Sequence, residues 1–131
     1  MPPTPVLLDT ESAARLRAVI GRLARRLRAT PSGRDASLTP TRISLMLSID
    51  RTGPVRLGEL AESEGINPPR LSRSVTQLVD AGLVARECDD ADRRAAWVRA
   101  TEAGHALAER MRQERTDAVN AALAGLPAAD R

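Results

Sequence analysis

Apolar positions return at helical spacing early in the chain. In "AARLRAVIGRLARRLRAT", Leu16, Val19, Ile20, Leu23 and Leu27 recur every three or four residues, with Arg15, Arg22, Arg25 and Arg26 between them. That period predicts an amphipathic helix. A polar cap around Thr10 to Ser12 opens it and Pro31 lies just beyond its end. Residues 1–9 are Pro-rich and predict a loose arm, and "PSGRDAS" at 31–37 predicts a loop. A second helix follows in "LTPTRISLMLSIDRTG", with Thr39 as N-cap, Pro40 in the first turn, Leu45, Met46 and Ile49 inward, and Gly53–Pro54 as the stop.

"VRL" predicts a short extended piece. "LGELAESEG" predicts a third helix with Leu57, Leu60 and Ala61 inward and Gly65 in the turn after it. Asn67 then caps a fourth helix, "PPRLSRSVTQLVDAG", which ends at Gly82. "LVARECD" and "AAWVRAT" alternate in the manner of an antiparallel hairpin, with strands at 83–88 and 95–101. The helical period resumes in "TEAGHALAERMRQERTDAVNAALAGL", with Leu107, Met111, Ala118, Ala122 and Leu126 on one stripe. The fold expected is mainly α with a small β-hairpin, a winged helix-turn-helix. It forms a single domain over residues 1–131: a helix at 10–30, a winged core at 38–101 and a last helix at 102–131.

On a helical wheel, Leu71, Val75, Leu78 and Val79 of the fourth helix share one stripe and predict the buried face. Pro69, Arg70, Arg73, Thr76, Gln77 and Asp80 fall opposite, with Ser72 on the flank. Arg can pair with guanine and Gln with adenine in a major groove. The N-terminal half of such a helix is also the part that reaches bases in helix-turn-helix proteins. An ordinary solvated helix face has a similar composition.

The stretch "RECDDADRRAAWVR" is dense in charge yet lies between apolar pieces. A hairpin places Asp89 to Arg94 at the tip, where charges stay in water. Asp92, Arg93 and Arg94 sit together there. An arginine gains from the negative potential of a narrow minor groove, and a nearby carboxylate can orient its guanidinium. A self-neutralising surface loop is the plainer reading of the same residues.

Composition sharpens the picture in three places. All 20 basic residues are Arg, yet the net charge is only +3, so bulk charge does not carry a nucleic-acid argument. With one Trp and no Phe or Tyr, the chain offers no stacking platform for single strands; that residue, Trp97 on the second wing strand, reads as packing against the winged core. Cys88 is the single cysteine, which excludes an internal disulfide. It reads as a small strand residue; the alternative is a thiol switch whose oxidation displaces the wing, although nothing nearby clearly activates the thiolate. His105 is the single histidine and reads as a surface or interface residue. One His and one Cys do not supply the usual four zinc ligands, and no nucleophile–base pair marks an enzyme. No cofactor is expected. The chain has no apolar run of about 18 residues and no signal-peptide pattern, so the expected location is the cytoplasm, away from membranes.

The pieces "ELA", "LSRSVTQLVDAGLVAR", "DDADRR" and "ATEAG", in this order and spacing, resemble the MarR (multiple-antibiotic-resistance regulator) family of winged-helix repressors. The resemblance covers about residues 38–104 and extends over both flanking helices. It implies a homodimer on palindromic double-stranded DNA, built by the first and last helices. The fourth helix would enter the major groove and the wing the minor groove. Asp92 and Arg94 match the family's Asp-x-Arg wing motif, and Arg73 matches the basic residue of its recognition helix. Ser72 would touch phosphate or base. Arg70, Thr76 and Gln77 are readers by geometry alone.

Many relatives release DNA when a small aromatic acid binds between arms and core, so an aromatic or apolar anionic effector is a further expected partner. No constellation in the sequence marks its site. Some relatives sense oxidants through a cysteine in the first helix, which this chain lacks. The family usually has one more helix where this chain stops at "LPAADR", which implies either a dimer unlike the family's usual one or first and long last helices that do more of the dimerising. The contrasting reading is a winged helix that binds protein, which predicts an apolar exposed face on the fourth helix.

Overall fold

The computed structural model describes residues 9–28, 30–88 and 96–124. The elements run α1 (Thr10–Arg28), α2 (Pro31–Asp35), α3 (Pro40–Thr52), β1 (Val55–Arg56), α4 (Leu57–Glu64), α5 (Pro68–Asp80), β2 (Val84–Cys88), β3 (Ala96–Ala100) and α6 (Glu102–Ala124). The expected winged helix-turn-helix is present, with α4 and α5 as its paired helices and β2–β3 as its wing strands.

Local chemistry sets the boundaries. Thr39 and Asn67 cap α3 and α5, accepting from the backbone N–H of Arg42 and Arg70, and each cap is followed by a proline. The same device explains α2, where a loop was expected. Thr30 Oγ1 accepts from Gly33 N–H at 3.1 Å, and Pro31 presets the first helical φ. The α2 turn is clamped to α6, because Ser32 donates its N–H and its hydroxyl to the Glu114 carboxylate. The cap of α1 also differs from the expected Thr10–Ser12. Asp9 fills it, its side chain accepting from Ser12 N–H at 2.7 Å.

The sheet is larger than a hairpin. Its order is β1-β3-β2, all antiparallel, with Val55 opposite Val98 and Cys88 opposite Ala96. Trp97 corrects an expectation. It was placed against the core, but it lies between buried Ala96 and Val98 on a strand of period two. It therefore occupies the outer face, where the Arg56 guanidinium covers its ring at 4.9 Å from the centroid.

The core gathers Ile43, Leu45, Met46 and Ile49 of α3, Leu60 of α4, Leu71, Val75 and Leu78 of α5, Val84 and Val98 of the sheet, and Leu107 and Met111 of α6. α1 buries nothing fully, although it packs along α6. Its stripe divides: Val19, Leu23 and Leu27 are half-buried, while Leu16 and Ile20 stay exposed. On α6, Ala118 and Ala122 are half-buried and Leu123 is exposed, whereas Leu126 of the expected stripe lies outside the described residues. No helix among the described residues is long and apolar enough to cross a membrane.

Candidate nucleic-acid interface

α5 is seated by its own periodicity. Leu71, Val75 and Leu78 are buried, and Val79 packs half-buried against the core. Ser74, next to this stripe, is buried as well. Pro69, Arg70, Arg73, Thr76 and Gln77 are exposed together on the opposite side, and Ser72 is half-buried on the flank. The expected reading face is therefore assembled as one surface, and it carries no apolar patch. Asp80 is exposed at the far end. The positive end of the helix dipole and two arginines thus share the N-terminal half.

The backbone constrains this face further. Asn67 Oδ1 accepts from Arg70 N–H at 2.9 Å, so that group serves the cap. Thr76 donates its hydroxyl to the Ser72 carbonyl at 2.9 Å. Thr76 therefore presents an acceptor lone pair and a methyl group to the outside, with no free donor.

The wing strands β2 and β3 follow α5 in the chain. The Cys88–Ala96 pair sets their last rung, and the tip residues Asp92, Arg93 and Arg94 lie outside the described residues. Glu87 and Arg99 form an ion pair at 3.0 Å on the strands. Both are well exposed, so the pair adds little stability. Cys88 is exposed at the wing base.

A compact joint ties α5 to α6. Gly82, with φ +75°, turns the chain out of α5 in a left-handed conformation. Thr101 then donates its hydroxyl to the Gly82 carbonyl at 2.7 Å and its N–H to the Leu83 carbonyl at 3.0 Å. The same hydroxyl accepts from Gly104 N–H at 3.1 Å, capping α6. These bonds tie the first turn of α6 to the turn that follows α5.

A cavity of about 390 Å³ lies where α1, α3 and α6 meet, lined by Ala24, Leu27, Arg28, Thr41, Ser44 and Arg115. Arg115 Nε is buried there without a hydrogen-bond partner among the described residues. Burial pushes the Arg115 guanidinium below its ordinary value. Sequence reasoning missed this site, because the three helices carry no motif and only their packing brings Arg28 and Arg115 together.

The arrangement defines a winged helix-turn-helix protein with a basic, polar face on its second motif helix. A MarR family model matches residues 38–96. An uncharacterized HTH-type transcriptional regulator from Mycobacterium leprae (strain TN) is 30% identical over 109 residues, covering 83% of this chain and 75% of that protein. The chain belongs to the MarR family of winged-helix transcriptional regulators. Solved structures share the fold. A mutant MarR from E. coli complexed with operator DNA superposes with a TM-score of 0.67 at 21% identity, over 92% of this chain and 86% of that one. NadR in complex with 4-hydroxyphenylacetate gives a TM-score of 0.67 at 24% identity, over 92% of this chain and 83% of that one.

Proposed function

We propose that this regulator acts as a homodimeric repressor on a pseudo-palindromic operator. The observation that carries the reading is the single exposed surface formed by Pro69, Arg70, Arg73, Thr76 and Gln77 on α5. Arg70, Arg73 and Gln77 select bases in the major groove, and Ser72 meets backbone or base. Arg94 enters the minor groove, Asp92 orients it and Arg93 adds a phosphate contact. Exposed Leu16, Ile20 and Leu123 on α1 and α6 supply an apolar surface for a second copy. Two-fold symmetry then doubles the half-site.

The cavity between α1, α3 and α6 supports release by a small apolar anion. Its volume falls within the range of about 300–1,000 Å³ typical of ligand pockets. Ala24 and Leu27 offer apolar walls, while Arg28 and Arg115 offer charge for a carboxylate.

The test is binding of the purified protein to duplex DNA from upstream of its own gene and to a scrambled duplex, across a salt series. The expected result is a complex of two protomers on the specific duplex, with affinity falling steeply as salt rises. Equal, weak binding to a tiled set of upstream duplexes and to the scramble overturns the reading and favours a protein partner for the winged helix.

A further inference from the structure

A second constellation sits at the α3–α6 joint, apart from α5 and from the cavity. Asp50 lies near the end of α3, and His105 and Glu109 lie four residues apart on α6. That spacing places both α6 side chains on one helix face. One donor atom from each of Asp50, His105 and Glu109 lies within 4.8 Å of the other two. The Asp50 side chain is only 6% exposed, and its Oδ1 stands 2.8 Å from His105 Nδ1. Arg112 donates through Nη1 to Asp50 Oδ2 at 2.7 Å and to Glu109 Oε1 at 2.8 Å. Its other terminal nitrogen donates to the Leu47 carbonyl at 3.3 Å. Burial pushes the Asp50 carboxyl up, but the hydrogen bonds from His105 and Arg112 outweigh it and hold the group below its ordinary value. Asp50 is therefore an anion at neutral pH.

We infer that Asp50, His105 and Glu109 bind one divalent transition-metal ion of the zinc class. An imidazole nitrogen with two carboxylate oxygens is a donor set such ions accept, with water completing the coordination. The count of one His and one Cys in the sequence had set a four-ligand zinc site aside. The carboxylates change that count, because the fold brings one from a separate helix. The ligands are pre-positioned: two share a helix face, and the third is nearly buried and fixed.

Arg112 holds Asp50 Oδ2 and Glu109 Oε1, which leaves Glu109 Oε2 and Asp50 Oδ1 for the ion, the latter in place of its contact with His105 Nδ1. Such outer hydrogen bonds orient ligating groups. The positive charge of Arg112 also repels an ion, so the site is weaker than a closed structural zinc centre. Without the ion His105 Nδ1–H donates to Asp50 Oδ1; the ion takes the place of that proton, and His105 then coordinates through Nδ1 as the neutral tautomer protonated on Nε2. The bound ion ties α3 to α6.

The experiment uses the untagged full chain carrying Cys88→Ser, which removes the exposed thiol as a competing ligand. Zn²⁺ is titrated in competition with a chromophoric chelator, and thermal unfolding is followed with and without Zn²⁺. The expected result is one Zn²⁺ per chain and a midpoint raised by the metal. Both effects are lost in His105→Ala and weakened in Glu109→Gln. His105 is 61% exposed, so its truncation leaves the core closed, and circular dichroism checks the fold of each variant. Absence of saturable binding, or binding unchanged in both variants, overturns the assignment.

Discussion

Gly104 stands directly against the Leu83 carbonyl: a Cβ at position 104 would lie 1.9 Å from that oxygen. No side chain fits there unless α6 moves away from the turn that follows α5. Gly104→Ala is therefore expected to destabilise the protein by about 1–3 kcal/mol or more, through a forced backbone shift. It is also expected to weaken operator binding, because the displaced joint holds the C-terminal end of α5. Urea unfolding and a binding titration on the same sample check both effects. A stable variant with unchanged affinity would mean that the joint yields without cost.

The two faces of α5 predict opposite phenotypes. Leu71 is 1% exposed, and Leu71→Ala is expected to cost about 2–5 kcal/mol of stability. Arg73 is exposed, so Arg73→Ala is expected to leave stability within about 0.5 kcal/mol. That variant should instead lose about 1–3 kcal/mol of operator affinity and relax base preference at one position of each half-site. Denaturation curves and a panel of single-base operator variants separate the two. The reverse pattern would mean that the reading face has been assigned to the wrong side of the helix.

Arg94→Ala is expected to weaken operator binding while leaving the unfolding midpoint unchanged, because the proposed role of this side chain is to contact DNA. The loss should be greatest on operators with A·T-rich flanks, whose minor grooves are narrow. An unchanged affinity in the folded variant would remove the wing from the binding mechanism.

Much of this fold was legible because local signals agreed. The stripe of Leu71, Val75 and Leu78, the Asn67 cap and the Gly82 turn all specify one helix, and the structure contains it. The same logic was available at Thr30–Pro31, but the short run "PSGRD" carries no apolar period, and α2 holds its place through Ser32 and Glu114 across the chain. Trp97 was misplaced for a related reason. Its size suggested the core, whereas the pairing of Arg56 with Trp97 shows which face it takes. The candidate reading residues of α5 were visible from the wheel, since one helix creates the whole surface. The cavity beside Arg115 and the group around Asp50 were not, since each is made by helices far apart in the chain.

The proposed dimerisation through α1 and α6 predicts a charge-sensitive interface. Leu16, Ile20 and Leu123 are 44%, 57% and 48% exposed in the protomer. Each is too large an apolar group to gain from that exposure. Ile20→Arg removes about 1.5–3 kcal/mol of apolar burial per copy, and symmetry applies the loss twice. The variant is expected to elute as a folded monomer by light-scattering chromatography and to lose operator affinity. A persistent dimer with full affinity would place the interface elsewhere.

Arg115 supplies a prediction whose two readouts fail independently. Its Nε is buried and has no partner among the described residues, so the group bears a desolvation cost that no hydrogen bond among them offsets. Arg115→Gln removes the charge and keeps much of the side chain's length. It is expected to leave stability unchanged or to raise it by about 1 kcal/mol, as thermal unfolding would report. A clear loss would show that the guanidinium props the three helices apart as a structural strut. The second readout uses 4-hydroxyphenylacetate as a probe anion on the operator complex. The parent is expected to release DNA as the probe is added, whereas Arg115→Gln should hold its operator at the same concentrations. Equal release from both would move the anion site out of the cavity. Release from neither, over a panel of aromatic carboxylates, would leave the cavity without a role in regulation.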